Sequence, residues 1–410
     1  TRTQSLIAEQ GITFTNSLTN VALCAPSRST FLSGQHHIHH HVMGNALPNG
    51  GYTKLDHTNT LPLWLQSAGY KTALIGKYVN RYGVDVPRTT VPPGWDFWHG
   101  NLNPDGYRAW DINHNGVIQS YRGYNTDHFT DVTTSFITDQ QHTNQPFFIW
   151  LTYDAPHYPA LPARRHAGRF AGIQLPASFN EANVTDKPLS VQWPSITPAQ
   201  FDEIRFLYQR RLESLLAVDE GVQQIIDALR SAGKLDNTVV MFTSDNGFYQ
   251  GQHRILKNKE AYYEEAIRVP LLMRGPGIPV NQIRSQLISN VDLAPTIVAL
   301  SGATARRTMD GKSLTPLFQS ATAPWRSAVL IDGKRRTSPT GGDGFPPSIN
   351  AIRTVRYLYV EHMSGAKEFY DLQTDPRELQ NRPNHPAIAD LHRQLSVLTH
   401  CVGVACWITE

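Results

Sequence analysis

Three short apolar segments constrain the fold of this chain most, because each follows a helical pattern and each ends in polar side chains. The segments are residues 71–75, 146–153 and 238–243, and the amphipathic patterns before them cover residues 60–68, 127–138 and 201–231. Residues 71–75 and 238–243 are predicted to be short strands, and the continuous apolar run at 146–153 is typical of a strand buried on both faces of a parallel sheet. The alternation predicts an α/β fold with a large, mostly parallel central sheet flanked by helices.

The pattern changes near residue 320, where short alternating segments replace the helix and strand pairs. These segments are predicted to form a small antiparallel sheet, and they cover residues 328–332, 351–355, 357–361 and 367–372. We therefore expect a large domain over residues 1–320 and a small α+β subdomain over residues 321–410. The stretch from 82 to 123 is rich in Gly, Pro, Asn and aromatic residues and is predicted to be an irregular rim.

Composition and charge exclude several classes of protein. A chain of 410 residues with 40% hydrophobic and 17% charged residues has material for a large core and is not disordered. The net charge is only +3 and no block of like charges occurs, so no nucleic-acid partner is expected. No run of 18 apolar residues occurs, so no membrane span is expected. The chain opens without a signal segment, so its localisation cannot be read from it.

The three cysteines are too few for a disulfide framework. Cys401 and Cys406 either pair in an oxidising compartment, which leaves Cys24 as the odd reactive thiol, or stay reduced in the C-terminal tail. The sequence leaves both alternatives open.

The stretch from Leu23 to Gly34 is predicted to hold a nucleophile at a helix start. Pro26 suits a first helical position, residues 27–32 continue the helix, and Gly34 suits its end. Cys24 and Arg28 are four positions apart, so their side chains share one face. Unpaired N–H groups at that end, together with the guanidinium, suit a tetrahedral oxyanion such as sulfate or phosphate. The alternative is an ordinary buried cysteine on an amphipathic helix.

Polar residues follow each predicted strand of the central sheet. Lys77 follows the first, His157 the second, and Asp245 with Asn246 the third. Ligands of open α/β sheets bind at the carboxyl ends of the strands, which favours a shared site for these residues. Aspartate and asparagine oxygens are hard ligands fit for calcium. Lys259, with Lys257 as the second choice, lies on the polar loop that follows.

The run Cys24-x-Pro-Ser-Arg28, followed by Ser-x-x-Leu-x-Gly34, resembles the signature of the type I, formylglycine-dependent sulfatases of the alkaline phosphatase superfamily. Further motifs recur in the order of that family and cover nearly the whole chain: Gly76-Lys77-Tyr78, Ala155-Pro156-His157, Thr243 to Gly247, Lys259 with Tyr263-Glu264, and Phe369 to Leu372 with Asp375-Pro376.

The resemblance implies a sulfuric ester hydrolase in which a formylglycine-generating enzyme oxidises Cys24. The hydrated aldehyde would then attack the sulfur of a sulfate monoester. The catalytic residues implied are Cys24, Arg28, Lys77, His157 and Lys259. Asp245 and Asn246 are implied to bind Ca²⁺, with Mg²⁺ as the alternative ion.

Within the family, the Gly-Lys-Tyr-x-Asn-x-Tyr-Gly run at 76–83 and Gly251-Gln252 are most similar to sulfatases that act on the 6-sulfate of N-acetylglucosamine. A sulfated sugar or aryl sulfate is the implied substrate, with Asn45, Asn80 and His253 as contacts. The His-rich turn at 36–41 is interpreted as pocket wall or plain loop rather than as a metal site. The resemblance also suggests a secreted, periplasmic or lysosomal-type location.

One departure from the family concerns the metal site. Sulfatases of this type begin with a strand that ends in two calcium-binding aspartates, whereas no Asp-Asp pair occurs in this sequence. Either the chain lacks this first strand, which we favour and which implies weak or no activity, or its metal site is built from fewer carboxylates than the family uses. The alternatives are a phosphate or phosphonate monoester hydrolase of the same superfamily and a non-catalytic carbohydrate-binding homologue.

Overall fold

The computed structural model describes residues 1–103, 105–176, 178–333 and 348–409. The strands of these residues are β1 (Ile12–Leu18), β2 (Lys71–Gly76), β3 (Phe97–Asn101), β4 (Ala109–His114), β5 (Val117–Arg122), β6 (Phe147–Thr152), β7 (Val240–Thr243), β8 (Leu271–Arg274), β9 (Gln282–Ser289), β10 (Ala328–Asp332), β11 (Ile349–Thr354), β12 (Tyr357–His362) and β13 (Lys367–Asp371). The α-helices are α1 (Cys24–Ser33), α2 (His37–His40), α3 (Leu61–Ser67), α4 (Asn125–Asp139), α5 (Pro198–Ser231), α6 (Glu264–Ile267), α7 (Leu293–Ser301), α8 (Thr315–Gln319) and α9 (Ile388–Leu398).

Two mixed sheets form the larger part of the molecule. One has the order β5-β4-β3-β2-β6, and in it β2 runs parallel to both β3 and β6. The other has the order β7-β8-β1-β9, and in it β1 runs parallel to β9 and antiparallel to β8. The predicted α/β class is confirmed, with the parallel pairs centred on β2 and β1.

Strand β6 is covered on both faces, as its continuous apolar sequence predicts. Phe147 and Ile149 pack with residues of α4 and α5, and the same core includes residues of β7. The alternate residues Phe148 and Trp150 pack on the opposite side with residues of α1, β2 and β3. Helices therefore enclose the sheets from two sides.

The longest helix, α5, ends at Ser231 as predicted but begins at Pro198, three residues before the predicted start. Thr197 and Gln200 form a capping box before α5, so the first free N–H groups of the helix have acceptors. Gly233, with a φ of +66°, follows its last turn. No helix in the described part of the chain is both long and apolar enough to cross a membrane.

The prediction of an irregular rim over residues 82–123 is wrong for its second half, which forms β3, β4 and β5. Strands β4 and β5 pair antiparallel across a two-residue turn, Asn115-Gly116, with φ values of 48° and 92°. Asn-Gly is the preferred sequence for such a hairpin turn, because both residues tolerate positive φ. The high content of glycine and aromatic residues obscured this signal.

The four C-terminal strands form a separate antiparallel sheet in the order β10-β11-β12-β13, as predicted. Helix α9 packs against it through apolar side chains such as Leu391 and Leu395. Cys401 and Cys406 are joined by a disulfide, which decides between the two alternatives left by the sequence. The domain boundary near residue 320 stays a prediction.

Candidate active site

Cys24 is the first residue of α1, and the side chains of Cys24 and Arg28 lie one turn apart inside the protein. The helix starts two residues before Pro26, the predicted first position. The earlier start has a local cause, because Asn45 Oδ1 accepts a hydrogen bond from the backbone N–H of Ala25 at 2.9 Å. The predicted end is confirmed, since Gly34 has a φ of +67°.

Two lysine ammonium groups and the ring of a histidine, from three different segments, converge on the thiol of Cys24. Lys259 Nζ lies 2.7 Å and Lys77 Nζ 3.5 Å from Cys24 Sγ, and the His157 ring is close enough to lower the pKa of the same thiol. Lys77 reaches this point because its backbone N–H continues the β2–β6 ladder, donating to the carbonyl of Thr152 at 3.0 Å. The carboxyl ends of two parallel strands thus meet the N-terminus of α1.

The electrostatics of this group favour negative charge at the sulfur position. Burial alone raises the pKa of the Cys24 thiol, but the ammonium groups of Lys77 and Lys259 lower it further than burial raises it, to about 5. The position is therefore one in which an anion is stable although water is largely excluded.

Arg28 connects this group to the end of β7. Its Nε donates to Asp245 Oδ2 at 2.8 Å, and a terminal nitrogen donates to the carbonyl of Lys77 at 2.8 Å. Burial raises the pKa of Asp245, yet Arg28 and the two site lysines bring it down to about 2. Asp245 is consequently ionised across the physiological range.

The residues at the end of β7 provide two oxygen donors for a metal ion. Asp245 is ionised, and Asn246 Oδ1 is buried without a hydrogen-bond partner in the described residues, which is an unfavourable state unless a cation or water contacts it. Calcium takes six to eight oxygens, so these two side chains could supply only one side of such a site. Among the described residues, Asp245 belongs to no group of three or more potential ligand side chains.

The structure separates the two candidate lysines of the loop after β7. Lys259 contacts Cys24, whereas Lys257 forms an ion pair with Glu203 on the surface of α5. Lys259, the first choice from the sequence, is therefore the lysine near the thiol.

The three predicted substrate contacts lie in different surroundings. Asn45 lies beside Cys24 through its bond to Ala25. Asn80 Oδ1 is buried without a hydrogen-bond partner in the part of the chain that is described, while the carbonyl of Asn80 accepts from the N–H of Tyr52.

His253, the third, does not join the Cys24 group. Its ring is 1% exposed and lies between two carboxylates, with Nδ1 3.0 Å from Glu181 Oε2 and Nε2 3.3 Å from Glu265 Oε2. It also stacks on Tyr263 at 3.9 Å. The predicted substrate contact of His253 has no support from this position.

The His-rich turn forms the short helix α2 behind α1. His40 Nε2 lies 3.0 Å from Thr30 Oγ1, and His39 Nδ1 lies 2.7 Å from Asp310 Oδ2. Burial lowers the pKa of His36 to about 4, so this imidazole is neutral near pH 7. These contacts are those of a packed turn that supports the helix of Cys24.

Sequence reasoning missed two carboxylates near the site. Asp154 is 3% exposed at the end of β6, and its Oδ2 accepts hydrogen bonds from the amides of Asn101 and Asn125 at 2.7 Å each. Burial raises its pKa to about 7 despite the nearby Lys77. Asp105, in the β3–β4 connection, lies 3.2 Å from His157 Nδ1. Asp154 directly follows a predicted strand, which is the signal that could have identified it.

Comparison with known proteins agrees with this geometry. The family model described as Sulfatase matches residues 1–303, and the model described as N-sulphoglucosamine sulphohydrolase, C-terminal, matches residues 251–400. The N-acetylglucosamine-6-sulfatases of Capra hircus and Homo sapiens are each 31% identical to this chain. Each alignment includes 99% of this chain and 80% or 82% of the relative, respectively.

Solved structures share the fold over nearly the whole chain. A protein in complex with its substrate D-glucosamine-2-N,6-O-disulfate superimposes with a TM-score of 0.82 and 25% identity, covering 96% of this chain and 90% of that one. A phosphonate monoester hydrolase from Silicibacter pomeroyi superimposes with a TM-score of 0.75 and 22% identity, covering 97% and 89%, which shows a shared fold alone.

The matched model spans about three quarters of the sequence, and it includes the helix of Cys24 and both site lysines. The chain therefore belongs to the sulfatase family of sulfuric ester hydrolases.

Proposed function

We propose that this sulfatase hydrolyses a sulfate monoester of a carbohydrate, with 6-O-sulfo-N-acetylglucosamine as the first substrate to test. One observation carries the proposal: the ammonium groups of Lys77 and Lys259 and the ring of His157 converge on Cys24 at a helix N-terminus. Such a group stabilises a tetrahedral oxyanion and the charge that shifts during its transfer. The sugar is inferred from the relatives that are named N-acetylglucosamine-6-sulfatases.

The family implies formylglycine and a metal ion, and we propose residues for both. Cys24 is the residue to be converted by a formylglycine-generating enzyme, and its conversion supplies a hydrated aldehyde as the oxygen nucleophile. Asp245 and Asn246 would hold the ion, for which their oxygens favour Ca²⁺, with Mg²⁺ as the alternative. When bound, the ion supplies positive charge that lowers the pKa of a coordinated hydroxyl.

The remaining steps follow from side chains of this chain. Lys77 and Lys259 neutralise the sulfuryl oxygens, because both ammonium groups reach the position of the nucleophile. His157 donates a proton to the leaving alcohol oxygen. Arg28 donates hydrogen bonds to both Asp245 and the carbonyl of Lys77, so it holds the proposed metal ligand Asp245 in a fixed position relative to Lys77.

The experiment compares two esters of the same sugar. Protein produced with the maturation enzyme and supplied with Ca²⁺ is assayed for inorganic sulfate release from N-acetylglucosamine 6-sulfate and for phosphate release from the 6-phosphate. We expect sulfate release to exceed phosphate release by at least about a hundredfold in kcat/KM. The reverse preference would favour the phosphate or phosphonate monoester hydrolase, and sugar binding with no turnover would favour a carbohydrate-binding homologue.

Two lysines provide a matched pair of variants. Lys259→Met removes an ammonium group at 2.7 Å from Cys24 Sγ, and we expect a loss of about 10²-fold or more in kcat. Lys257→Met removes the same charge from a surface ion pair two residues away and should leave kcat within a factor of two. Equal losses in the two variants would contradict the proposed role of Lys259.

A further inference from the structure

Asp105 and Tyr107, two residues of the connection between β3 and β4, contact His157 at two points. The hydroxyl of Tyr107, a residue that is 1% exposed, donates to the carbonyl oxygen of His157 at 2.8 Å. The carboxylate of Asp105, two residues earlier, lies 3.2 Å from His157 Nδ1. One contact fixes the backbone of the histidine and the other fixes its ring.

The strand before this connection holds the same segment. Asn101, the last residue of β3, donates from its side-chain amide to Asp154 Oδ2 at 2.7 Å. The end of β3 and the connection after it therefore contact both ends of the four-residue segment 154–157. This places the ring of His157 with an accuracy that an unsupported loop does not provide.

The contacts of Nδ1 define which ring nitrogen faces the reaction. Asp105 Oδ1 and the carbonyl oxygen of Tyr158, at 2.9 Å, are both acceptors, so Nδ1 carries a hydrogen. Cys24 is close enough to the ring to raise the pKa of His157, and Nε2 is the ring nitrogen left to face it. A carboxylate on one ring nitrogen orients the other and stabilises the imidazolium.

We propose that Asp105 is a positioning residue of this sulfatase, which holds the imidazole of His157 in its protonated form and directs Nε2–H at the leaving-group oxygen. The inference rests on the proposed role of His157. In the transfer, the bond from Nε2 to hydrogen breaks as the bond from the alcohol oxygen to that hydrogen forms. The imidazolium becomes a neutral imidazole that keeps its Nδ1 hydrogen, and solvent water returns the lost proton.

The charges around the ring explain why this carboxylate is needed. The groups that face His157 are Asp105, Cys24, Lys77, Lys259 and Asp154. The hydrogen bond that His157 donates to Asp105 is the largest influence and raises the pKa of His157, whereas burial and the two lysines lower it. Without Asp105, the lysines that bind the sulfate would favour the neutral ring, which has no proton to donate from Nε2.

Two variants of the connection separate orientation of the ring from support of the backbone. In Asp105→Asn, the pKa of His157 falls, so the alkaline limb of the kcat/KM profile on a sulfate monoester moves to lower pH. At pH 7.5 we expect kcat/KM to fall about fivefold, the upper range for a pair as exposed as this one. In Tyr107→Phe, we expect kcat to fall while the alkaline limb of the kcat/KM profile stays at the same pH. An unchanged limb in Asp105→Asn would overturn the proposal.

A second readout does not depend on turnover. The His157 ring is titrated by NMR in histidine-labelled protein, with the His157→Gln spectrum identifying its signal among the 17 histidines. We expect the pKa of His157 to be lower in Asp105→Asn than in the unaltered protein and unchanged in Tyr107→Phe. Equal pKa values of His157 in all three proteins would overturn the proposed interaction between Asp105 and His157. Absence of sulfate release from the unaltered protein would instead count against the proposed function alone.

Discussion

The position of Lys259 predicts a strong effect on the ionisation of Cys24 in protein that has not been converted to formylglycine. With a pKa of about 5, the thiolate outnumbers the thiol by about 100 to 1 at pH 7. Two unit charges at the 2.7 Å between Lys259 Nζ and Cys24 Sγ interact by about 6 kcal/mol at an effective dielectric constant of 20. Even half of this energy, about 3 kcal/mol, corresponds to about 2 pH units. Lys259→Met should therefore raise the pKa of Cys24 by about 2 units.

The assay is simple because the other two cysteines of the chain form a disulfide, which leaves Cys24 as the free thiol. The pH dependence of alkylation by iodoacetamide, or of the ultraviolet absorbance of the thiolate, is measured in metal-free protein with Cys24→Ser as the blank. Lys257→Met is the matched control and should titrate as the unaltered protein does. A thiol that titrates near 8.5 before any substitution, or a value unchanged by Lys259→Met, would refute this account of the site.

Three further predictions concern stability. Arg28→Lys removes the hydrogen bonds that Arg28 donates to Asp245 and to the backbone carbonyl of Lys77. It should lower the free energy of unfolding by about 2 kcal/mol in urea titrations. Glu368→Gln removes a buried carboxylate that accepts from three tyrosines and a histidine, and it should cost about 3 kcal/mol at pH 7 by the same method. Reduction of the Cys401–Cys406 bridge should cost about 2 kcal/mol, seen as a lower Tm, because it closes only a short loop.

The pH dependence of the Glu368 effect has a defined sign. Burial raises the pKa of this carboxyl, but its hydrogen bond with His362 and those from the tyrosines bring it below its ordinary value. A carboxyl whose folded pKa is lowered contributes stability above its unfolded pKa and loses it as the pH falls through the folded value. The difference between the unaltered protein and Glu368→Gln should thus narrow below about pH 4. A difference that grows in acid would contradict this explanation.

Surface variants serve as controls for the first two of these substitutions. Arg393→Lys changes an exposed arginine whose ion pair with Asp390 lies within α9, and Glu361→Gln changes a partly exposed carboxylate on β12. Both should alter the free energy of unfolding by less than about 0.5 kcal/mol. Losses equal to those of the buried variants would show that the measured effects do not come from burial.

Much of the site was predictable because parallel strands end at one edge of a sheet. Lys77 and His157 were identified as residues that follow apolar runs, and the β2–β6 pairing brings them to the same end. The helical spacing of Cys24 and Arg28 is local information, and both side chains lie on one face of α1 as expected. Neither inference needed a contact between distant parts of the chain.

The parts that were missed depend on contacts between distant segments. Asp105 lies more than 50 positions before His157 in the sequence, and only the hairpin after β3 brings the two together. His253 was predicted from the resemblance, and its contacts with the carboxylates of residues 181 and 265 could not be read from the sequence; its substrate role stays a prediction. A single sequence does not show such partners, because periodicity reports which face a residue is on and not what packs against that face.

The most direct test of the central claim measures the state of Cys24 and the rate of sulfate release in the same samples. Protein is produced with graded amounts of the formylglycine-generating enzyme, and the tryptic peptide of residues 3–28 is weighed by mass spectrometry. We predict that kcat for a sulfate monoester rises in proportion to the fraction of peptide that carries the aldehyde or its hydrate, and that Cys24→Ala has no activity. Sulfate release at full rate from protein whose Cys24 is entirely a thiol would contradict the account.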